Sequence, residues 1–89
     1  MENILTKEKF LAQYTGANFR YMLLDRMRSD CEYYINYEMN CPPQYNHLWA
    51  DHDPKAQITY MKYLWESFEE KPEWLTMDEI ERFERVMIA

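Results

Sequence analysis

Glycine is nearly absent: Gly16 is the only one among 89 residues. Phosphate-cradling loops need several glycines, so the common nucleotide-binding motifs are excluded. Tight hairpin turns call for glycine as well, which disfavours an architecture built from β-hairpins. Long apolar runs are missing too, and none approaches the ~20 residues that span a bilayer. The opening residues, Met1 to Lys9, lack the pattern of a secretory signal. Two cysteines in a chain without an export signal read as free thiols, and the expected compartment is the cytoplasm. Basic residues are in deficit, ten against sixteen acids, for a net charge of −6. Direct binding to a nucleic-acid backbone needs clustered Lys and Arg, so this balance argues against it.

Aromatic and sulfur-bearing side chains are abundant: eight Tyr, four Phe, three Trp and seven Met. That apolar mass suffices for one small core without disulfides, and the whole chain, 1–89, reads as a single all-α domain. Three principal helices and a short N-terminal one are expected. Thr6 caps a first helix over 7–14, which Thr15-Gly16-Ala17-Asn18 interrupts. A long second helix follows over 18–38. Residues 39–52 form a long irregular segment stiffened by Pro42-Pro43, with Leu48-Trp49 pinning it to the core. Asp53-Pro54 starts the third helix, 54–69, with a capping carboxylate and a proline at the first helical position. Thr76-Met77-Asp78-Glu79 is a capping box, stapled by Leu75 and Ile80, that opens the last helix over 77–88.

At helical pitch, Phe19, Leu23, Met27, Cys31 and Tyr34 share one face of the second helix. Ile58, Met61, Leu64, Trp65 and Phe68 do so on the third, and Ile80, Phe83, Val86 and Met87 on the fourth. Trp49, Trp65 and Phe83 are expected to share a core with Met27 and Tyr34. Asp30 falls inside the apolar arc of the second helix. A carboxylate there needs donors, since burying it bare costs several kcal/mol. Asp30 is therefore expected to be structural, satisfied by the 39–52 loop backbone or by an indole such as that of Trp49.

Cys31, Cys41, His47 and His52 carry metal-ligating atoms, with nine, five and four residues between them. Established zinc signatures begin with cysteines two to four residues apart, so zinc is a minority reading and no cofactor is expected. No nucleophile–base arrangement is visible, and the expectation is a protein without catalytic activity. The acids concentrate in 51–81, which holds nine of them against three lysines. Glu66, Glu69, Glu70, Glu73 and Asp78 form a candidate acidic surface for a basic partner. Tyr60 and Tyr63, outside the third helix's stripe, are candidate aromatic anchors. On the outer side of the second helix Tyr21, Arg28 and Glu32 are a further candidate contact.

The segment from Tyr21 through Ser29-Asp30-Cys31-Glu32-Tyr33-Tyr34 resembles a large polyvalent protein-associated domain, a type found in phage and conjugative-element polypeptides. The likeness continues through His47-Leu48-Trp49-Ala50, Ile58 with Met61-Lys62 and Leu64-Trp65, and Glu70-Lys71-Pro72-Glu73-Trp74-Leu75-Thr76, covering about 20–82. This chain departs from the family pattern after the tyrosines, where Ile35-Asn36-Tyr37-Glu38-Met39 replaces a Gly-rich turn. The resemblance implies a mobile-element origin in a bacterial host. By analogy of genetic setting it suggests an anti-CRISPR-like inhibitor that binds a basic host protein such as a CRISPR effector nuclease. Alternatives are an accessory module for element-encoded DNA-processing enzymes and a small-molecule or nucleotide sponge. No membrane partner is implied.

Overall fold

The computed structural model describes residues 4–42 and 45–88, and the second proline of the pair, Pro43, lies outside them. Regular structure among the described residues is entirely helical: α1 (Lys7–Gln13), α2 (Ala17–Tyr33), a π-helical turn (Tyr34–Glu38), α3 (Pro54–Ser67) and α4 (Met77–Met87). Three of the expected cap residues accept from the first turn of their helices. Thr6 accepts from the Lys9 N–H, Asp53 from that of Lys55 at 3.0 Å, and Thr76 from that of Glu79. Leu75 and Ile80 are both fully buried, as a hydrophobic staple requires. No helix among the described residues is long and apolar enough to cross a membrane.

The third helix is the axis of the molecule. α1, α2 and α4 all pack on it, so it is covered on more than one side. Its buried set is correspondingly wide and includes Gln57, Ile58, Tyr60, Met61 and Leu64. Met27, Leu24, Phe10, Phe83 and Leu75 close around it. Trp49, Trp65 and Tyr34 pack on the rim of this core.

Two assignments to the core are corrected. Phe19 is 49% exposed. Its neighbour Arg20 turns inward instead, donating to the Tyr14 and Leu11 carbonyls at 2.7 and 2.9 Å and so capping the end of α1. Val86 is likewise exposed, since Phe83 and Met87 fill the face that α4 turns to α3. The third helix also stops at Ser67, with Phe68 extended yet buried. Lys71 closes that end by donating to the carbonyls of Glu66 and Phe68 while lying over the Trp65 ring.

Two buried amides shape the irregular segment. Gln57 accepts from the Ala50 N–H and donates to the Met27 carbonyl, tying the segment to α2 through α3. Asn46 donates to the His52 carbonyl and accepts from the Leu48 N–H, and His52 Nδ1 donates back to the Asn46 carbonyl at 2.8 Å. This clasp holds Asp51 and His52 at positive φ, 52° and 65°, a region that non-glycine residues seldom occupy.

Candidate interaction surface

The structure separates the sequence-derived site residues into buried and exposed sets. Tyr60 is a core residue, 7% exposed, stacked on Phe10 with ring centroids 4.3 Å apart. Its hydroxyl oxygen accepts from the Leu5 N–H, and the half-buried Tyr63 donates its hydroxyl to the Leu5 carbonyl. These two tyrosines therefore bind the chain's own N-terminal segment. Tyr60 is withdrawn as a surface anchor because α1 covers the side of α3 on which it lies.

Tyr21, expected on the outer side of α2, is half-buried against Phe68, with centroids 4.0 Å apart. It donates its hydroxyl to the Glu70 carbonyl at 2.7 Å, which fixes the 68–74 segment beside α2. Arg28 bridges Asp25 and Glu32 at 2.7 and 3.2 Å and lies 5.6 Å from the Trp74 ring centre. The hydrogen bond to Asp25 is the largest of the effects raising its pKa. Among the acids, Glu69, Glu70, Glu73 and Asp78 are exposed, while Glu66 pairs with Lys7 at 3.6 Å.

Apolar side chains gather on the outside of α2. Met22 is 72% exposed, Tyr33 50% and Tyr37 71%, and Phe19 joins them. Trp74, also exposed, stands 6.5 Å from Tyr21 and forms with Tyr21, Met22 and Asp25 a groove of about 370 Å³. A second groove of about 390 Å³ opens beside it between Ala17, Arg20, Phe68, Glu69 and Glu70. A third, about 330 Å³, lies toward the other end of the helix, between Ser29, Asp30, Tyr33 and His47. The result is an aromatic ridge with carboxylates along its border, Asp25 and Glu32 on the helix and Glu69, Glu70 and Glu73 beside Trp74.

Asp30 is nearly buried and accepts from Arg26 Nε at 3.2 Å through Oδ1. Oδ2 is sealed from solvent and has no hydrogen-bond partner of regular geometry among the described residues. Burial raises its pKa above the usual carboxylate range. Arg26, the backbone N–H of Trp49 and the Gln57 side chain pull it back in part. The Trp49 ring is turned away to pack edge-on against Phe10, Tyr14 and Tyr60. The donor that meets Asp30 at regular hydrogen-bond geometry is Arg26 of its own helix, in place of the expected loop N–H or indole.

A second inward carboxylate escaped the sequence reading. Glu38 is 4% exposed and accepts from both the backbone N–H and the ring Nδ1–H of His47. Its position was legible, because seven residues after Cys31 the apolar stripe arrives at Glu38. His47, from the loop, was not foreseeable as its partner.

The candidate zinc set is not assembled. Cys31 is buried with Sγ 3.5 Å from Met61 Sδ, and burial pushes its thiol up to about 12. Cys41 is exposed with Sγ directed at the Tyr37 carbonyl. His47 and His52 are engaged by Glu38 and Asn46. Among the described residues no three His, Cys, Asp or Glu side chains converge on a metal position.

Fold and surface together define a small all-helical domain that presents one helix outward as an aromatic ridge. Residues 17–87 match the family model of large polyvalent protein-associated domain 11, and the chain belongs to that family. The family is associated with polyvalent proteins of phages and mobile elements. No curated protein and no solved structure gives a significant match.

Proposed function

We propose that this chain is a counter-defence protein that acts without turnover. It binds a host nucleic-acid-processing protein, a CRISPR effector nuclease being the leading type, in a stoichiometric complex. The observation that supports this most is the pairing of exposed Trp74 and Met22 with the neighbouring carboxylates of Asp25, Glu69, Glu70 and Glu73. A large aromatic at the centre of a contact supplies affinity, and acids around it select a basic surface and speed encounter. Nucleic-acid channels are basic, so a chain of net charge −6 competes for them naturally. The family's association with polyvalent mobile-element proteins supplies the genetic setting.

That same association favours a second reading, an accessory module that helps an element's own DNA-processing enzymes assemble. Co-purification from a defence-equipped bacterial host separates the two. A stoichiometric host nuclease supports inhibition, and an element-encoded enzyme supports the accessory role. A bound nucleotide with no protein partner contradicts both and favours a sponge.

A further inference from the structure

The exposed residues of α2 follow a spacing of their own. Phe19, Met22, Arg26, Ser29 and Tyr33 recur at intervals of three, four, three and four, which is the spacing of a coiled-coil seam. They lie away from Leu24, Met27 and Cys31, which face the core, with buried Leu23 between the two stripes. Tyr37 extends the line through the π-helical turn, its ring 4.9 Å from that of Tyr33. The seam is therefore about 25 Å long at the rise of a helix. An isolated amphipathic helix buries one stripe, whereas this helix carries two, and the outer one stays largely exposed, with ring contacts from Phe19 to Tyr14 and from Tyr33 to His47.

Charge decides what fits the outer stripe. Asp25 and Glu32 flank it on one side, two exposed carboxylates against the single Arg28 that bridges them, with Glu73 beyond, next to Trp74. Asp30, on the other side, is nearly buried and paired with Arg26. Arg28 is committed to Asp25 and Glu32 and turned toward Trp74, so it adds no free cation to the seam. A second copy of α2 laid antiparallel, with Met22 against Tyr33 of the other copy, would set Asp25 against that copy's Glu32. A heterologous helix with Lys or Arg at its flanking positions meets acids instead, and a polar residue of that helix can face Arg26 and Ser29 in mid-seam.

We infer that the outer seam of α2, Phe19 to Tyr37, is the docking strip for an amphipathic α-helix with basic flanks on the partner protein. The inference rests on the protein-binding reading above and names the structural class of its partner. Helix-in-groove recognition of this kind uses anchors spaced by helical turns, which the seam supplies.

The test uses the full chain and two synthetic 21-residue peptides with Leu at both seam positions of each heptad, one flanked by Lys and the other by Glu. Binding is followed by fluorescence anisotropy and peptide helicity by circular dichroism. The Lys peptide should bind and gain helix, and the Glu peptide should bind at least roughly tenfold more weakly. Met22→Glu with Tyr33→Glu should weaken the Lys peptide by a further factor of about ten or more, whereas Val86→Glu on α4 should leave it unchanged. Thermal melts identify any variant that fails to fold, and Met22→Ser with Tyr33→Ser then serves as the milder replacement. Binding of neither peptide, or equal binding to the seam variant, overturns the inference. So does a dimer of the chain, seen by sedimentation, that Met22→Glu dissociates. If Glu69→Lys with Glu70→Lys abolishes capture of a host partner while the seam variants do not, the seam fails and the protein-binding reading stands. If neither set of variants affects capture, the seam and the acidic border both fail as contact surfaces, while protein binding itself stands.

Discussion

Phe10 and Tyr60 stack almost face to face, ring planes 9° apart, joining the first helix to the third across the centre of the molecule. Tyr60 also receives the Leu5 N–H, so one side chain anchors both α1 and the strand of chain before it. Tyr60→Ala should cost about 3–5 kcal/mol in urea melts, as for other buried aromatics. Tyr60→Phe keeps the stack, loses the acceptor, and should cost about 1 kcal/mol. A Tyr60→Ala cost below 1 kcal/mol would return this residue to the surface.

The lone glycine is held at φ 92°, and a Cβ there would meet nothing within 4 Å. The penalty for Gly16→Ala is therefore purely one of backbone conformation, about 1–2 kcal/mol. Chemical denaturation measures it directly, and a neutral substitution would show that the start of α2 relaxes.

Glu38 should behave as a buried clamp on the 39–52 loop. Removing its carboxylate in Glu38→Ala leaves the His47 donors without their acceptor and should cost about 1–3 kcal/mol. Glu38→Gln should cost less, because one carbonyl still accepts from the backbone N–H. A double-mutant cycle with His47→Ala should return a coupling energy for the ring contact, and strict additivity would place that contact outside the native state.

Helix starts were the most legible features of this chain. Asp53-Pro54 and Thr76 through Glu79 act locally, within one turn, so no tertiary information was needed to place them. Which face of a helix is buried depends on how many neighbours it has. α3 has packing partners on several sides, so a single stripe was too narrow and Tyr60 was misassigned to the surface. Phe19 failed for the converse reason. Arg20 is drawn inward by the orphan carbonyls of α1, a need that hydrophobic periodicity does not register. Glu69, Glu70, Glu73 and Asp78 are exposed, and the exposed apolar side chains on that side of the molecule are Trp74 and Met22 in place of Tyr60. Trp74 lies in an irregular segment, where no helical period announces which way a side chain points.

Asp30 makes stability depend on pH in a definite sense. Burial raises its folded pKa above the unfolded value. Its contribution is fully present below the ordinary carboxylate range and is lost as pH rises through the folded pKa, because the unfolded chain releases the proton first. Asp30→Asn has no such proton to lose. Its stability relative to wild type should rise with pH across that window in urea melts run from pH 3 upward, and a difference independent of pH would contradict the assignment.

The kinetics of complex formation with the captured host protein test the central claim most directly. Wild type, Glu69→Lys with Glu70→Lys, and Trp74→Ala are compared at low and physiological ionic strength. Charge reversal should slow association, with a smaller effect on dissociation, and the wild-type association rate should fall as salt rises. Trp74→Ala should instead speed dissociation by about tenfold or more, as expected of a central aromatic anchor. Salt-independent association, with both variants dissociating as slowly as wild type, would place the contact away from Trp74 and its acidic border and contradict the account.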